Sequence, residues 1–139
     1  MSYAQIVADF MDSKGFHHSG VQQNSNGANY IQFSITGEAT NVRFTVIFNE
    51  EGHDAAIRAF DFVEHIPDSK YAECLVCCNE LNMKFRYVKF YIDNDNSITL
   101  EDDAVIDEET AGDEVLRLSF TMMHIADEAY PILMKAIYG

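Results

Sequence analysis

Apolar and polar residues alternate along the middle of the chain, which is the pattern of β-strands packed on one face. Residues 30–36 and 41–48 carry an apolar side chain at every second position. Both segments therefore predict strands of an antiparallel sheet with one buried and one wetter face. Residues 55–66 are more densely apolar and predict another strand, and residues 16–22 predict a short first one.

Three other segments repeat their apolar residues at intervals of three and four, which predicts helices with one buried face. These segments are residues 2–14, 68–82 and 111–138. Asp68 and Thr110 are expected to cap the second and third helices. Pro131 lies inside the third segment and is expected to interrupt or kink that helix, because proline donates no backbone hydrogen bond.

Residues 85–93 and 96–104 predict a second hairpin, and its turn is acidic from Asp93 to Asn96. The oxygen-bearing side chains of this turn have the spacing that opens an EF-hand. That loop also needs glycine at its sixth position and an acid at its twelfth, where this chain has Ile98 and Ala104. Because Asn and Asp are common in tight turns, the motif predicts the tip of a hairpin and no metal site.

The predicted order of elements is α-β-β-β(-β)-α-β-β-α, in one domain that covers residues 1–139. Antiparallel strands grouped between helices are typical of the α+β class, with the helices packed on one side of the sheet. A chain of 139 residues with 47% hydrophobic content can bury a substantial core. Residues 101–114 hold eight acids and no base, and are expected to form an exposed connection that leads into the last helix.

The formal charge of −14, from 23 acidic and nine basic residues, restricts the class of partner. It disfavours nucleic acid, whose phosphates are bound by lysine and arginine, and it disfavours anionic membrane surfaces. A basic protein segment or a divalent cation fits this charge better. The sequence shows no signal peptide and no apolar run of about 20 residues, so we expect a soluble cytoplasmic protein.

No catalytic constellation appears in the sequence, and we expect neither enzyme activity nor a cofactor. The three cysteines between residues 74 and 78 lie in the middle of the second predicted helix, where they are expected to fill the core as small apolar side chains. They lack the second ligand pair that a zinc site needs. His124 precedes Asp127 and Glu128 by one helical turn, a spacing that fits one edge of a metal site but is more typical of a solvated surface histidine.

A metal- or small-ligand-binding domain is the alternative to an interaction module. Its sites would be the acidic loops near residues 50–54, 93–95 and 101–103. An enzyme built from scattered carboxylates is a third possibility, which a strongly perturbed Asp61 or Glu73 in a deep pocket would indicate.

Two sets of residues are candidates for contact with a protein partner. An aromatic and basic stripe runs along the strand before the acidic turn. A second apolar row lies beside the first on the last helix, so this helix must be covered on more than one side. Other helices of the chain or a second subunit can supply this cover, and a homodimer is the leading hypothesis. The candidates are Phe85, Tyr87, Lys89 and Tyr91 on the strand, and Leu116, Phe120, Met123, Tyr130 and Met134 on the helix.

Five segments of the sequence are similar to those of a known family: Val63–Pro67, Asn79–Asn82, Lys84–Leu100, Ala126–Leu133 and Ile137–Gly139. In these segments the chain resembles the YbjN domain family. The likeness covers most of the chain and is strongest from residue 60 to the end.

This resemblance implies a fold similar to that of type III secretion chaperones, which are small, acidic, dimeric α+β proteins that bind unfolded segments of a client. The family is labelled a bacterial sensory transduction regulator and brings no catalytic residues with it. Together with the charge and the doubly apolar last helix, the resemblance favours a non-enzymatic cytoplasmic interaction module. Its expected role is chaperone-like or regulatory, and its expected partner is a protein.

Overall fold

The computed structural model describes all 139 residues, which form a six-stranded antiparallel sheet and three helices. The helices are α1 (Tyr3–Ser13), α2 (Tyr71–Lys84) and α3 (Ala111–Tyr138), and a single 3₁₀ turn (Asp68–Lys70) precedes α2. The strands are β1 (Gln22–Gln23), β2 (Asn29–Thr36), β3 (Asn41–Asn49), β4 (Asp54–Val63), β5 (Lys89–Ile92) and β6 (Ile98–Val105). They are ordered β1-β2-β3-β4-β6-β5 across the sheet.

The predicted α+β class and the predicted order of elements are confirmed. The alternation of β2 and β3 places Ile31, Phe33, Val42 and Phe44 in the core. All three helices cover this face, because α3 contacts β3, β4 and β6 and lies between α1 and α2. The first strand is shorter than predicted, since only Gln22 and Gln23 pair with β2.

The second hairpin has the predicted turn but a shorter first strand. Asn96 adopts a positive φ of 62°, and Asp93 and Asn96 are joined by a backbone hydrogen bond across the turn. Phe90 lies opposite Leu100 in the hairpin that the sequence predicts. Strand β5 begins at Lys89 and not at residue 85, because Tyr87 has a positive φ of 72° that no regular strand contains.

Two overlapping expectations concern residues 101–104, a strand of the second hairpin and an exposed acidic connection. The strand is confirmed, and the exposed connection from residue 101 is wrong. Residues 101–105 belong to β6, which lies between β4 and β5 inside the sheet. Glu101 is accommodated there by cross-strand ion pairs, at 3.2 Å to Arg58 Nε and at 2.7 Å to Lys89 Nζ. Opposite charges on neighbouring strands let an acidic sequence take an interior strand.

Residues distant in sequence stabilise the first helix. The carboxylate of Glu50, in the turn after β3, accepts hydrogen bonds from the backbone N–H groups of Tyr3 and Ala4, at 2.6 Å and 3.2 Å. The side chain of Ser2 accepts a hydrogen bond from the Gln5 N–H at 3.0 Å, as the capping-box pattern predicts.

The expected N-caps of the other two helices are wrong. No side chain caps α2, and Asp107 takes the role expected of Thr110, since it accepts hydrogen bonds from the backbone of Glu109 and Thr110. Helix α3 also continues through Pro131 without the expected interruption.

Candidate functional site

Helix α2 carries large apolar side chains on its solvent-facing side. Tyr71, Leu75, Val76 and Met83 are between 41% and 79% exposed. On the opposite side, Cys74, Cys77, Cys78 and Leu81 are buried against the core. We call the set Tyr71, Leu75, Val76 and Met83 the α2 face. A helix that is apolar on both sides requires cover on both sides, and the chain covers only one of them.

No charged side chain lies within the α2 face. At 100° per residue, Ala72, Asn79 and Asn82 fill the spaces between its apolar members, whereas Glu73 and Glu80 lie beyond its edge. This is unusual in a chain with a formal charge of −14. The helical spacing of these apolar residues is visible in the sequence, but the sequence-based prediction for this helix concerned only the buried side that carries the cysteines.

The three cysteines are buried and unpaired, as predicted for core residues. Burial raises the pKa of all three thiols, and it raises the pKa of Cys78 to about 12. Because the thiolate is the nucleophile and the metal ligand, these residues are poorly suited to redox or metal chemistry.

The predicted second row on α3 divides into covered and exposed members. Leu116 and Met123 are buried, Tyr130 and Met134 are half-buried, and Phe120 remains 49% exposed. Helix α1 and the β2–β3 hairpin supply most of the cover. The row therefore forms no continuous exposed stripe, and its role in partner binding stays a prediction centred on Phe120.

Phe120 lies on a groove between the end of α1, helix α3 and the β2–β3 hairpin. Its ring packs edge-on against Phe16 at a centroid distance of 5.9 Å, and Phe16 packs against Phe33 at 5.3 Å. One section of the groove, of about 510 Å³, includes Phe10 and Leu116, and a second, of about 730 Å³, includes Ile35, Met123 and Phe120 again. We call both sections together the Phe120 groove.

The two ends of the Phe120 groove differ in charge. Lys14 and Arg117 lie at the α1 end, with Asp113 beside Arg117 at 3.9 Å. Glu38 and Glu128 lie at the hairpin end. A bound segment would therefore meet an apolar centre with cations on one side and carboxylates on the other.

Asp127 holds the β2–β3 hairpin against α3. Its carboxylate accepts hydrogen bonds from the backbone N–H groups of Ala39, Glu38 and Thr40 at 2.8, 3.0 and 3.1 Å. These bonds, that from Ala39 first, hold the pKa of Asp127 below its usual value. Asp127, which was considered with His124 as one edge of a metal site, therefore holds the β2–β3 turn in place.

The predicted stripe on the second hairpin is not continuous. Lys89 and Tyr91 share the open face of the sheet, where Lys89 bonds to Glu101. Tyr87 precedes the strand and is 62% exposed. Phe85 lies on the helix side, with its ring 6.5 Å from that of the buried Phe90. The four residues therefore do not form one surface, and their contact with a partner stays a prediction.

The outer edge of β5 is closed by a side chain of α2. The Asn82 amide donates to the Phe90 carbonyl at 3.0 Å and accepts from the Phe90 N–H at 2.7 Å. An asparagine side chain thus occupies the backbone groups that a neighbouring strand would use. This arrangement protects the edge from pairing with another chain.

Several carboxylates of the acidic loops considered as ligand sites are hydrogen-bonded within the protein. Glu50 bonds to α1, Asp93 accepts from Thr99 Oγ1 at 3.0 Å, and Asp95 bonds to Ser97. No group of three or more His, Cys, Asp or Glu side chains is arranged to hold a metal ion. None of the helices combines the length and the apolar content required to cross a bilayer.

Comparison with solved structures finds a similar fold. The structure described as "Crystal Structure of the ExsC-ExsE Complex" contains a chain that superposes with a TM-score of 0.51. The match covers 88% of this chain and 86% of the other, at 12% sequence identity. The likeness therefore concerns the fold alone.

Comparison of sequences gives the family. No curated protein sequence matches the chain significantly. The YbjN family, described as "Putative bacterial sensory transduction regulator", matches residues 4–133, which is nearly the whole chain. The match extends over all six strands and most of the three helices, and it includes every segment whose resemblance was noted in the sequence except Ile137–Gly139. Because it covers nearly the whole chain, this chain belongs to the YbjN family.

Proposed function

We propose that this protein is a non-enzymatic, cytoplasmic protein-interaction module that works as a homodimer. In this proposal the α2 face joins two copies, and the Phe120 groove binds a protein partner in a chaperone-like or regulatory role. The observation that carries the proposal is the α2 face, because exposure of an uncharged apolar helix face to water is unfavourable in free energy.

A second copy of the chain fits the α2 face for an electrostatic reason. Two molecules that each carry a formal charge of −14 repel each other wherever their acidic surfaces meet. The α2 face lacks charge, so like molecules can approach there with the least repulsion. A face that packs on its own copy across a twofold axis gives the commonest symmetry of homo-oligomers.

The Phe120 groove is suited to a different partner. Phe120 is a large, half-exposed aromatic residue held in place by Phe16, and such residues often anchor protein interfaces. The neighbour of known structure was determined as the ExsC-ExsE complex, and this supports a protein as the partner. The charged ends of the groove favour a partner segment of mixed charge over a purely apolar ligand.

The dimer is tested by light scattering at micromolar concentration, with Val76→Glu and Val105→Glu as matched variants. Val105 is 87% exposed on β6 and lies outside the α2 face, so both changes add the same charge in place of an exposed valine. We expect the mass of a dimer for the wild type and for Val105→Glu, and the mass of a monomer for Val76→Glu. A wild-type monomer would contradict the proposed dimer.

Partner binding is tested by affinity capture from the native host with Phe120→Asp and Tyr138→Asp. Tyr138 is exposed at the end of α3 and lies outside the groove. A protein retained by the wild type and by Tyr138→Asp, but lost from Phe120→Asp, would support the groove as the binding site. Equal retention by both variants would contradict it.

A further inference from the structure

The sheet divides into two branches at one end of β3. Strand β3 pairs with β2 as far as Thr36 opposite Asn41, but its pairing with β4 stops at Thr45 opposite Arg58. The two strands separate because β4 is irregular. Between the pairs Ala59–Leu100 and Val63–Ile98, β4 advances four residues while β6 advances two. We call the space between residues 41–45 and 59–64 the fork.

The fork is a cleft of about 370 Å³ that opens on the face of the sheet without helices. Its apolar lining includes Val42, Ala59 and Phe62, and the ring of Phe62 packs edge-on against Tyr130 of α3 at 5.8 Å. Phe60 remains 45% exposed at the opening. The packing of Phe62 on Tyr130 therefore fixes the floor of the cleft against helix α3.

Backbone hydrogen-bonding groups face the fork without a strand to receive them. Gln32 of β2 bonds outward to Ser19, through its carbonyl and its N–H, both at 2.9 Å. Because backbone groups alternate in direction along a strand, Phe33 bonds inward to its partner Phe44. The N–H and C=O of Arg43 must then point to the β4 side, where the pairing has already ended.

The irregular part of β4 adopts a strained conformation at the same place. Asp61 has a φ of 55°, which is uncommon for a residue other than glycine. Such bulges and left-handed residues are frequent next to binding sites, where they redirect side chains. Here the irregularity presents Phe60, Asp61 and Glu64 to the fork.

We infer that the fork receives an extended, basic segment of a partner polypeptide, which pairs with the free side of β3 as a short inserted strand. A strand rises about 3.3 Å per residue, and its neighbours lie about 4.8 Å away within the sheet and about 10 Å away across it, which gives about 160 Å³ for each residue. A cleft of about 370 Å³ therefore holds about two residues. The backbone N–H and C=O of Arg43 form the hydrogen bonds to the inserted strand, and Phe60 and Phe62 contact alternate side chains of the segment.

Charge decides the composition of the inserted segment. Asp61 and Glu64 place two carboxylates on one wall, Arg43 is the one cation, and the protein as a whole is strongly acidic. The other sheet edges are less suitable, because Asn82 closes β5, and Ser19 and β1 occupy part of β2. The inference rests on the proposed protein-interaction function but uses neither the α2 face nor the Phe120 groove.

The test uses a phage-displayed library of random ten-residue peptides, selected on the wild-type protein. Fluorescence anisotropy then measures binding of the enriched peptides as synthetic, capped molecules. We expect enrichment of basic residues next to alternating apolar ones, and protection of the Arg43 amide from hydrogen exchange when peptide binds. Peptides that leave the Arg43 amide unprotected would overturn the inference.

Three variants connect this binding to the fork. Asn41→Trp fills the cleft with a large side chain and should weaken binding at least tenfold, whereas Gln22→Trp, on the exposed β1, should leave it unchanged. Asp61→Asn with Glu64→Gln should also weaken binding at least tenfold, since asparagine tolerates the left-handed backbone of Asp61. Equal affinity of Asn41→Trp and wild type would overturn the inference, as would competition by free lysine amide alone.

Val76→Glu separates the inference from the proposed function. The variant should bind peptide as tightly as the wild type, because the α2 face is not involved. If no peptide is enriched while Phe120→Asp still loses a partner, the fork inference fails and the proposed function stands. If peptides bind in the fork while Val76→Glu has no effect on mass, the proposed dimer fails and the fork inference stands.

Discussion

The carboxylate of Asp102 lies on the helix-covered face of the sheet, and its replacement by a neutral side chain should stabilise the protein. It lies on β6 opposite Ile57, which is fully buried beneath the helices. One carboxylate oxygen, Oδ1, accepts the Asp103 N–H at 2.8 Å, but Oδ2 is buried without a hydrogen-bond partner. An ionised group in such a place loses hydration that the protein does not replace.

The magnitude follows from the pKa. Burial is the main reason why the pKa of Asp102 is raised from 3.8 to about 6. The hydrogen bond from the Asp103 N–H and the charge of Arg58 oppose this rise, and the charge of Asp103 adds to it. A difference of one unit between the folded and unfolded pKa corresponds to about 1.4 kcal/mol, so the ionised carboxylate destabilises the fold by about 3 kcal/mol at most. The side chain is only partly buried, so solvent screening reduces the penalty to about 1–2 kcal/mol.

The sign of the effect fixes its pH dependence. A carboxyl whose pKa is higher in the folded state destabilises the fold only when it is ionised. The penalty is absent below the unfolded pKa of 3.8, develops between this value and about 6, and is complete at pH 7. Asp102→Asn keeps the shape of the side chain and should therefore raise stability at neutral pH and leave it unchanged near pH 4.

Urea unfolding followed by circular dichroism measures this effect at pH 7.5 and pH 4, at one protein concentration. We expect a gain of about 1–2 kcal/mol in the free energy of unfolding at pH 7.5, from the discounted value above. Glu108→Gln serves as the control, since Glu108 is an exposed acid in the turn before α3. A destabilised Asp102→Asn at pH 7.5, or an equal gain at both pH values, would refute the reasoning.

Three further outcomes are expected. Asp127→Asn should lower the melting temperature at pH 7, and the difference from wild type should shrink as the pH falls below 3.8, because the stabilising carboxylate has a lowered pKa. Gly112→Ala should destabilise the fold by about 1–3 kcal/mol in urea unfolding, because the added carbon meets the ring of Phe10 where α1 crosses α3. The three buried thiols should react with a disulfide reagent at pH 8 only as fast as the protein unfolds, and rapid reaction of the native protein would contradict their burial.

Elements with a strong local pattern were predictable from the sequence. The alternation of β2 and β3, the extent of α3 and the Asp93–Asn96 turn need only neighbouring residues to be recognised. The grouping of antiparallel strands between helices predicted the α+β class, and the family resemblance implied the same architecture, which the fold confirms.

Elements that depend on distant partners were mispredicted. Residues 101–104 carried two conflicting predictions, a strand and an exposed acidic connection, because nothing local shows that Arg58 and Lys89 neutralise Glu101 from both neighbouring strands. The role of Asp127 was hidden for the same reason, since its three donors lie almost 90 residues earlier in the chain.

The candidate surfaces show the same division. The sequence identified Phe120 and the second apolar row of α3, but only the packing of α1 and the hairpin shows that Leu116 and Met123 are covered while Phe120 is not. The helical spacing of Tyr71, Leu75, Val76 and Met83 in the sequence indicates that these residues share one side of α2. Its exposure depends on the absence of any other element over that helix.

The sequence by itself determined the class of fold, the strong negative charge and most of the helices and strands. It could do so because strand alternation, helical spacing and net charge are local or additive properties. The tertiary structure alone decided which apolar faces stay exposed, which acids are neutralised and where the sheet divides. These properties depend on contacts between residues far apart in the chain, and the fork between β3 and β4 exists only once β6 has fixed the irregular path of β4.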